Sequence, residues 1–204
     1  MTARRVERER AAVLVELTIV LPLLMMISLA VLDLGLGYKA NLTISGATRA
    51  GARTASNLGI ATVTDKEALK SLGAAIGSIP TAEIDVIVIF RSTSAVGTVP
   101  AGCTNSTAKA NGGDSTLKCN TYTGTEVAAI VAGAGPTFGS GCGTTRDRFW
   151  CPTTRGNAQS GLSGPDYVGV FIRVNHVTST KMFGSTMVIQ DTAIMRIEPG
   201  AGNT

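Results

Sequence analysis

Residues Ala11 to Leu32 (AAVLVELTIVLPLLMMISLAVL) limit what this chain can fold into more than any other stretch. Glu16 is their only ionisable side chain, and Arg4, Arg5, Arg8 and Arg10 crowd the front edge. A helix rising about 1.5 Å per residue extends roughly 30 Å over this stretch, which matches a hydrocarbon core. Three readings compete. A removable secretory signal has the basic front, but its apolar core usually runs about 7–15 residues and closes at a small-residue cleavage site. Here the run is longer and passes into a further helical pattern. A plain membrane anchor is the second reading. The third is a segment cut on its cytoplasmic side, with the hydrophobic helix retained. Glu16 separates the last two. A carboxylate in an apolar helix costs on the order of 2.5–3.5 kcal/mol at the bilayer centre and less near the edge. Glu16 lies about a turn and a half in, and an acid there calls for a positive partner.

The residues RAAVLVELTIVLPLL resemble the N-terminus of TadE-family minor pilins, proteins of tight-adherence (Flp-type) pilus and secretion systems. The resemblance rests on the basic Arg8 to Arg10, the small Ala11/Ala12, Leu14-Val15-Glu16-Leu17 and Leu21-Pro22-Leu23-Leu24. It implies that Glu16 is the fifth residue of the mature chain, with the cut by a prepilin peptidase after Ala11 and a new N-terminus at Ala12. Ala11 stands where the family usually has Gly, and Leu17 where it usually has an aromatic. The implied partners are the membrane, other pilins and pilus-assembly proteins. Cleavage creates a positive α-amino group at Ala12, and a carboxylate on a neighbouring helix can pair with it once helices bundle. Removing either partner strands the other, at a cost of several kcal/mol. The competing reading has Glu16 simply hydrated near the headgroups.

The chain has 204 residues, which leaves about 145 beyond the helical segments, enough for one modest domain. Aromatics make up only 4% and Gly numbers 24, so an aliphatic core and loop-rich segments are expected. The net charge of +4 is not a nucleic-acid signature, because beyond the leader the Lys and Arg residues are scattered singly among acids. The basic front fits topology instead: a cytoplasmic N-terminus and an extracytoplasmic C-terminal bulk.

Residues 1–11 read as a cytoplasmic leader, 12–33 as the transmembrane helix and 34–58 as its extracytoplasmic helical extension. In the extension Ala40, Ile44, Ala47, Gly51, Ala55 and Leu58 recur at steps of three and four, with Asn41, Ser45, Thr48, Arg49, Ala52, Arg53 and Ser56 on the other face. Gly51 and Ala55 form a small-xxx-small pair suited to close helix packing, on the chain's own domain or on another subunit. The Leu-Pro-Leu-Leu run places Pro22 among the packing positions. Ala50-Gly51-Ala52-Arg53 resembles the Gly-Ala-Arg run after the membrane helix of TadE-like proteins, and the segments 165–168 and 193–199 resemble their C-termini more loosely. Gly59 is a candidate C-cap.

Residues 59–204 read as an extracytoplasmic α+β domain. Thr64 and Glu67 have capping-box spacing ahead of a second short helix with Leu69, Leu72, Ile76 and Ile79 on one side, stopped by Pro80. Residues 83–90 read as a buried strand and 98–123 as a long loop or insertion, with a short helix at 125–132. Strands at 167–177 and 186–197 flank a hairpin loop, giving a small antiparallel sheet packed with helices.

Cys103, Cys119, Cys142 and Cys151 all lie beyond the membrane helix, in loop-like sequence. Four cysteines allow three connectivities; pairing sequence neighbours, Cys103 with Cys119 and Cys142 with Cys151, is preferred because both close local loops, and a loop of about 15 residues contributes roughly 3 kcal/mol. A zinc site has no Cys-x-x-Cys spacing to support it, and no metal or other cofactor is expected. His176, the one histidine, stands in a strand pattern with no motif around it, and no Walker loop, Gly-x-Ser-x-Gly or His-Glu-x-x-His occurs. No catalytic residue is assigned. Asp147, between Arg146 and Arg148 and followed by Phe149-Trp150, reads as a polar-aromatic binding loop or as a loop clamped by cysteines. The expected protein is a non-enzymatic, TadE-like minor pilin or pseudopilin. The alternative is an uncleaved single-pass anchor presenting a disulfide-stabilised binding domain.

Overall fold

The computed structural model describes residues 2–139, 142–157, 164–181 and 184–199, with side chains from Leu14 onward. Helix α1 runs unbroken from Thr2 to Leu58, about 85 Å. It ends at Gly59, whose φ of +55° lets its N–H turn back to the Ala55 carbonyl at 3.1 Å. Helix α2 (Thr64–Ile76) folds back along it. At the crossing, a Cβ on Gly51 would lie 3.3 Å from Leu72 Cβ and 3.4 Å from the Ala68 carbonyl oxygen. The small-residue face of α1 therefore packs within the chain. Its buried stripe is wider than the spacing predicts: Thr48, Ala52 and Ser56, assigned to the outer face, are also buried. The reason is a second neighbour. Thr48 Oγ1 donates to Asp191 Oδ2, and Ser56 Oγ to the Arg196 carbonyl, both on the last strand.

Five antiparallel strands form the sheet: β1 (Ile84–Ser92), β2 (Gly113–Asp114), β3 (Cys119–Tyr122), β4 (Tyr167–Val177) and β5 (Thr186–Arg196), in the order β2-β3-β1-β4-β5. The α+β class and the long helix leading into a small antiparallel sheet agree with the sequence reading. One face of the sheet packs Ile87, Ile89, Val170 and Ile172 against α1 and α2. The other packs Val86, Val88, Phe90 and Phe171 against the segment that holds Cys103 and Cys119. Burial on both faces is why β1 is a near-continuous β-branched run without alternation. Gly169 admits the Phe90 ring, which a Cβ would meet at 2.3 Å.

Two local expectations are corrected. Residues 98–123 are not a long loop. They hold helix α3 (Ser106–Asn111), capped by Asn105 Oδ1 on the Ala108 N–H at 2.7 Å and closed by Gly112 at φ +91°, and also β2 and β3. Thr64 is not an N-cap: Val63 holds that position, and the Thr64 hydroxyl donates to the Ala61 carbonyl at 2.7 Å while Asp65 turns inward. The capping box lies instead at helix α4 (Gly124–Val131), where Thr123 Oγ1 accepts from the Glu126 N–H and the Thr123 N–H donates to Glu126 Oε2 at 2.8 Å.

Glu126 also binds Arg146, with Oε2 to Nη2 at 3.0 Å. Burial pushes its carboxyl up, but the hydrogen bonds from Arg146 and Thr123 outweigh this and hold it below its ordinary 4.5. A carboxyl held down in the folded chain stabilises fully above its unfolded pKa and loses that contribution as pH falls through the folded value. Gln can still close the capping box, so Glu126→Gln removes the charge alone. Thermal unfolding of the full chain in detergent is expected to show a lower Tm at pH 7 for the variant, with the gap to wild type closing below pH 4.5. A constant gap down to pH 3 would contradict this.

Candidate functional site: the membrane helix and its exit

Between Leu14 and Leu32 the surface of α1 is largely left uncovered by the described part of the domain. Fourteen large apolar side chains there are 45–69% exposed in the isolated chain. Burying each is worth roughly 1.5–3 kcal/mol. Even half of that over the stretch far exceeds the roughly 2.5–3.5 kcal/mol that one acid costs at a bilayer centre, so Glu16 does not prevent insertion. The hydroxyls in the stretch are satisfied locally, Thr18 Oγ1 on the Val15 carbonyl and Ser28 Oγ on the Leu24 carbonyl, both at 2.8 Å. That self-sufficiency is what a helix in hydrocarbon needs. Pro22 lies within the unbroken helix and removes one donor, leaving the Thr18 carbonyl without its usual partner. Glu16 is exposed on this helix, about 24 Å before Leu32. Ala11 and Ala12 lie on the α1 backbone, and their side chains fall outside the described ones.

The surroundings change at Asp33. It is 4% exposed although it directly follows the bare apolar stretch. The loop joining β4 to β5 reaches down to it: the Ser179 N–H donates to Oδ1 at 3.1 Å, the Thr180 N–H to Oδ2 at 3.3 Å, and the Thr180 hydroxyl to Oδ2. One turn further on, Met187 Sδ lies 3.2 Å from where a Gly37 Cβ would be. The sequence marks Asp33 only as the end of the apolar run; its partners are almost 150 residues away and carry no local signal.

A second polar cluster lies inside the domain. Asp65 and Arg155 are both fully buried, with Oδ1 to Nη2 at 2.6 Å. Asn120 Nδ2 donates to Asp65 Oδ2 at 2.8 Å, the Tyr122 hydroxyl donates to the same oxygen, and the Arg155 guanidinium lies 4.1 Å from the Trp150 ring centre. Burial, with the charge of Asp65 adding to it, pushes the Tyr122 hydroxyl well above its ordinary range. Burial likewise raises the Asp147 carboxyl. Of the two readings of the 146–150 loop, the structure has the cysteine clamp, Cys142–Cys151, while Asp147 at 0% and Trp150 at 3% exposure face the core and offer no binding surface. His176 Nδ1 sits 2.9 Å from Glu83 Oε2, tying β4 to the turn before β1. The cysteines form two disulfides, Cys103 with Cys119 and Cys142 with Cys151, closing separations of 16 and 9 residues. Among the described residues no group of three or more His, Cys, Asp or Glu is placed to hold a metal ion.

Asp33→Ala leaves the Ser179 and Thr180 N–H groups without their charged acceptor. Hydrogen bonds to charged groups contribute about 1.5–3 kcal/mol, so amide exchange at these two positions is expected to quicken roughly tenfold or more. Hydrogen-exchange mass spectrometry of the full chain in micelles checks this, with β1 as the unchanged reference. Unchanged exchange at 179–180 would refute the anchoring role of Asp33.

Residues 11–53 match the family model described as TadE-like protein, the segment over which the sequence resembles that family. No curated protein and no solved structure matches the chain.

Proposed function

We propose, from the TadE-like match, that this chain is a minor pilin or pseudopilin that works by assembly into a pilus or its associated secretion apparatus, without enzymatic activity. In this reading residues 1–11 are a cytoplasmic leader, 12–33 span the membrane, 34–58 extend the helix outside, and 59–204 complete an extracytoplasmic domain. A prepilin peptidase cuts after Ala11. The observation that carries the reading is Glu16, the single acid in the apolar, exposed stretch of α1 from Leu14 to Leu32, which the family model includes.

The mechanism follows from charge burial. In the lone subunit the carboxylate lies near one end of the apolar stretch, within reach of headgroups. When helices gather, water is excluded from both Glu16 and the Ala12 amine. Two buried charges of opposite sign on neighbouring subunits are then tolerable only as a pair. The pair fixes the axial register of one helix against the next. Two disulfides in the domain fit an oxidising compartment outside the cytoplasm.

One observation favours a second reading. Gly51 already packs on the chain's own α2 and Ala55 is fully buried in the domain core, so the small-residue face is not free for another subunit. An uncleaved anchor presenting the domain would look the same there. Glu16→Gln separates the two. Assembly predicts unchanged amounts in the membrane fraction but at least about a tenfold drop in sheared surface filaments, which requires only about 1.4 kcal/mol of lost pairing. Equal incorporation of the variant would support the anchor.

A further inference from the structure

We propose that the end of the β4–β5 hairpin is itself a membrane-contact surface, seated in the phospholipid headgroup layer beside the helix. This rests on α1 spanning the bilayer and concerns what the domain does there. The 19 residues from Leu14 to Leu32 extend about 28 Å, close to the roughly 30 Å of the hydrocarbon core. The interfacial layer beyond it is about 5–7 Å thick, the rise of residues 33–37. The structure holds the hairpin at this level by two separate ties, Asp33 to Ser179 and Thr180, and Gly37 to Met187. A domain on a free stalk needs neither.

The side chains at this level suit the layer. Leu34, Tyr38, Val177 and Val188 are 54%, 68%, 50% and 61% exposed, an apolar rim continuous with the membrane stretch. An exposed tyrosine about a turn past the hydrocarbon edge suits the aromatic belt of membrane proteins. Lys39 and Lys181, both exposed, supply cations for lipid phosphates, while Asp33 is turned inward onto hydrogen-bond donors and Glu83, in the cleft beside Leu36 and Lys39, is engaged by His176. Continuity with the membrane stretch and this charge arrangement favour lipid over a second protein as the occupant. The contact adds a second point of attachment, so the domain stands at a fixed angle to the bilayer.

The test uses the full chain in vesicles of phosphatidylcholine and phosphatidylglycerol, some carrying a headgroup nitroxide. Single thiols are introduced by Val188→Cys, Val96→Cys and Leu24→Cys and labelled with a fluorophore, without reductant so that the disulfides stay closed. Val96 is 92% exposed and follows Ser92, which pairs with Tyr167 at the opposite end of β4 from Val177, about 30 Å away. The nitroxide is expected to quench Val188→Cys at least about twofold more than Val96→Cys, because only the former lies in the interfacial layer. If Leu24→Cys is quenched from within the bilayer but Val188→Cys stays as bright as Val96→Cys, the helix spans and the hairpin contact is refuted. Shielding of Val188→Cys that depends on protein density and not on the nitroxide assigns the face to a second copy and also refutes it. A Leu24→Cys label untouched by acyl-chain nitroxides would remove the membrane reading, and this inference with it.

Discussion

One helix serves two solvents, and the rest of the structure follows from how α1 changes character at Asp33. Before that residue its surface is almost entirely apolar on every side, and its large side chains are exposed in the isolated chain. After it, the same rod must be apolar on the side that packs and polar on the side that faces water. The backbone never breaks, so the change is made entirely in side chains: leucines and methionines give way to Ala47, Gly51 and Ala55, against which α2 can lie close. A carboxylate at the boundary is costly if left half in lipid. The domain answers by folding its hairpin down onto Asp33, which fixes where the sheet begins relative to the helix.

With few aromatics to fill space, the domain is held by aliphatic packing on both sheet faces, by two disulfides and by a small set of buried polar ties. The Asp65–Arg155 pair is the deepest of these. Such a pair adds little net stability over a well-packed apolar substitute, but losing one partner leaves a buried charge and costs about 3–5 kcal/mol. Its value lies in joining segments that share no strand: the start of α2, β3 through Asn120, and the Trp150 turn.

What the sequence disclosed and what it hid divide along the range of the interactions. The apolar stretch, β1, β4 and β5 are written in runs of like residues, and each is found where that patterning puts it. The Thr64 cap fails because its hydroxyl donates back to the Ala61 carbonyl and because Asp65 is drawn to Arg155, ninety residues on. The polar face of α1 is misread at Thr48 and Ser56 because their partners, Asp191 and Arg196, are more than a hundred residues away. Residues 98–123 look like loop because their glycines, asparagines and serines act as caps and turns, at Asn105 and Gly112, around elements too short to show a period. Glu16 in an apolar run announces itself chemically, whereas Asp33 and its hairpin need the fold.

The account stands on α1 being kept whole from the acid to the domain, with a free amine four residues before Glu16. The mass of the N-terminal peptide, taken from the protein in a membrane fraction of its native host, tests this most directly. A chain starting at Ala12, with or without N-methylation, is the predicted result and supplies the partner for Glu16. A chain starting at Met1 or Thr2 would leave that carboxylate unpaired and make the protein a plain anchor. A start beyond Leu32 would contradict both membrane readings.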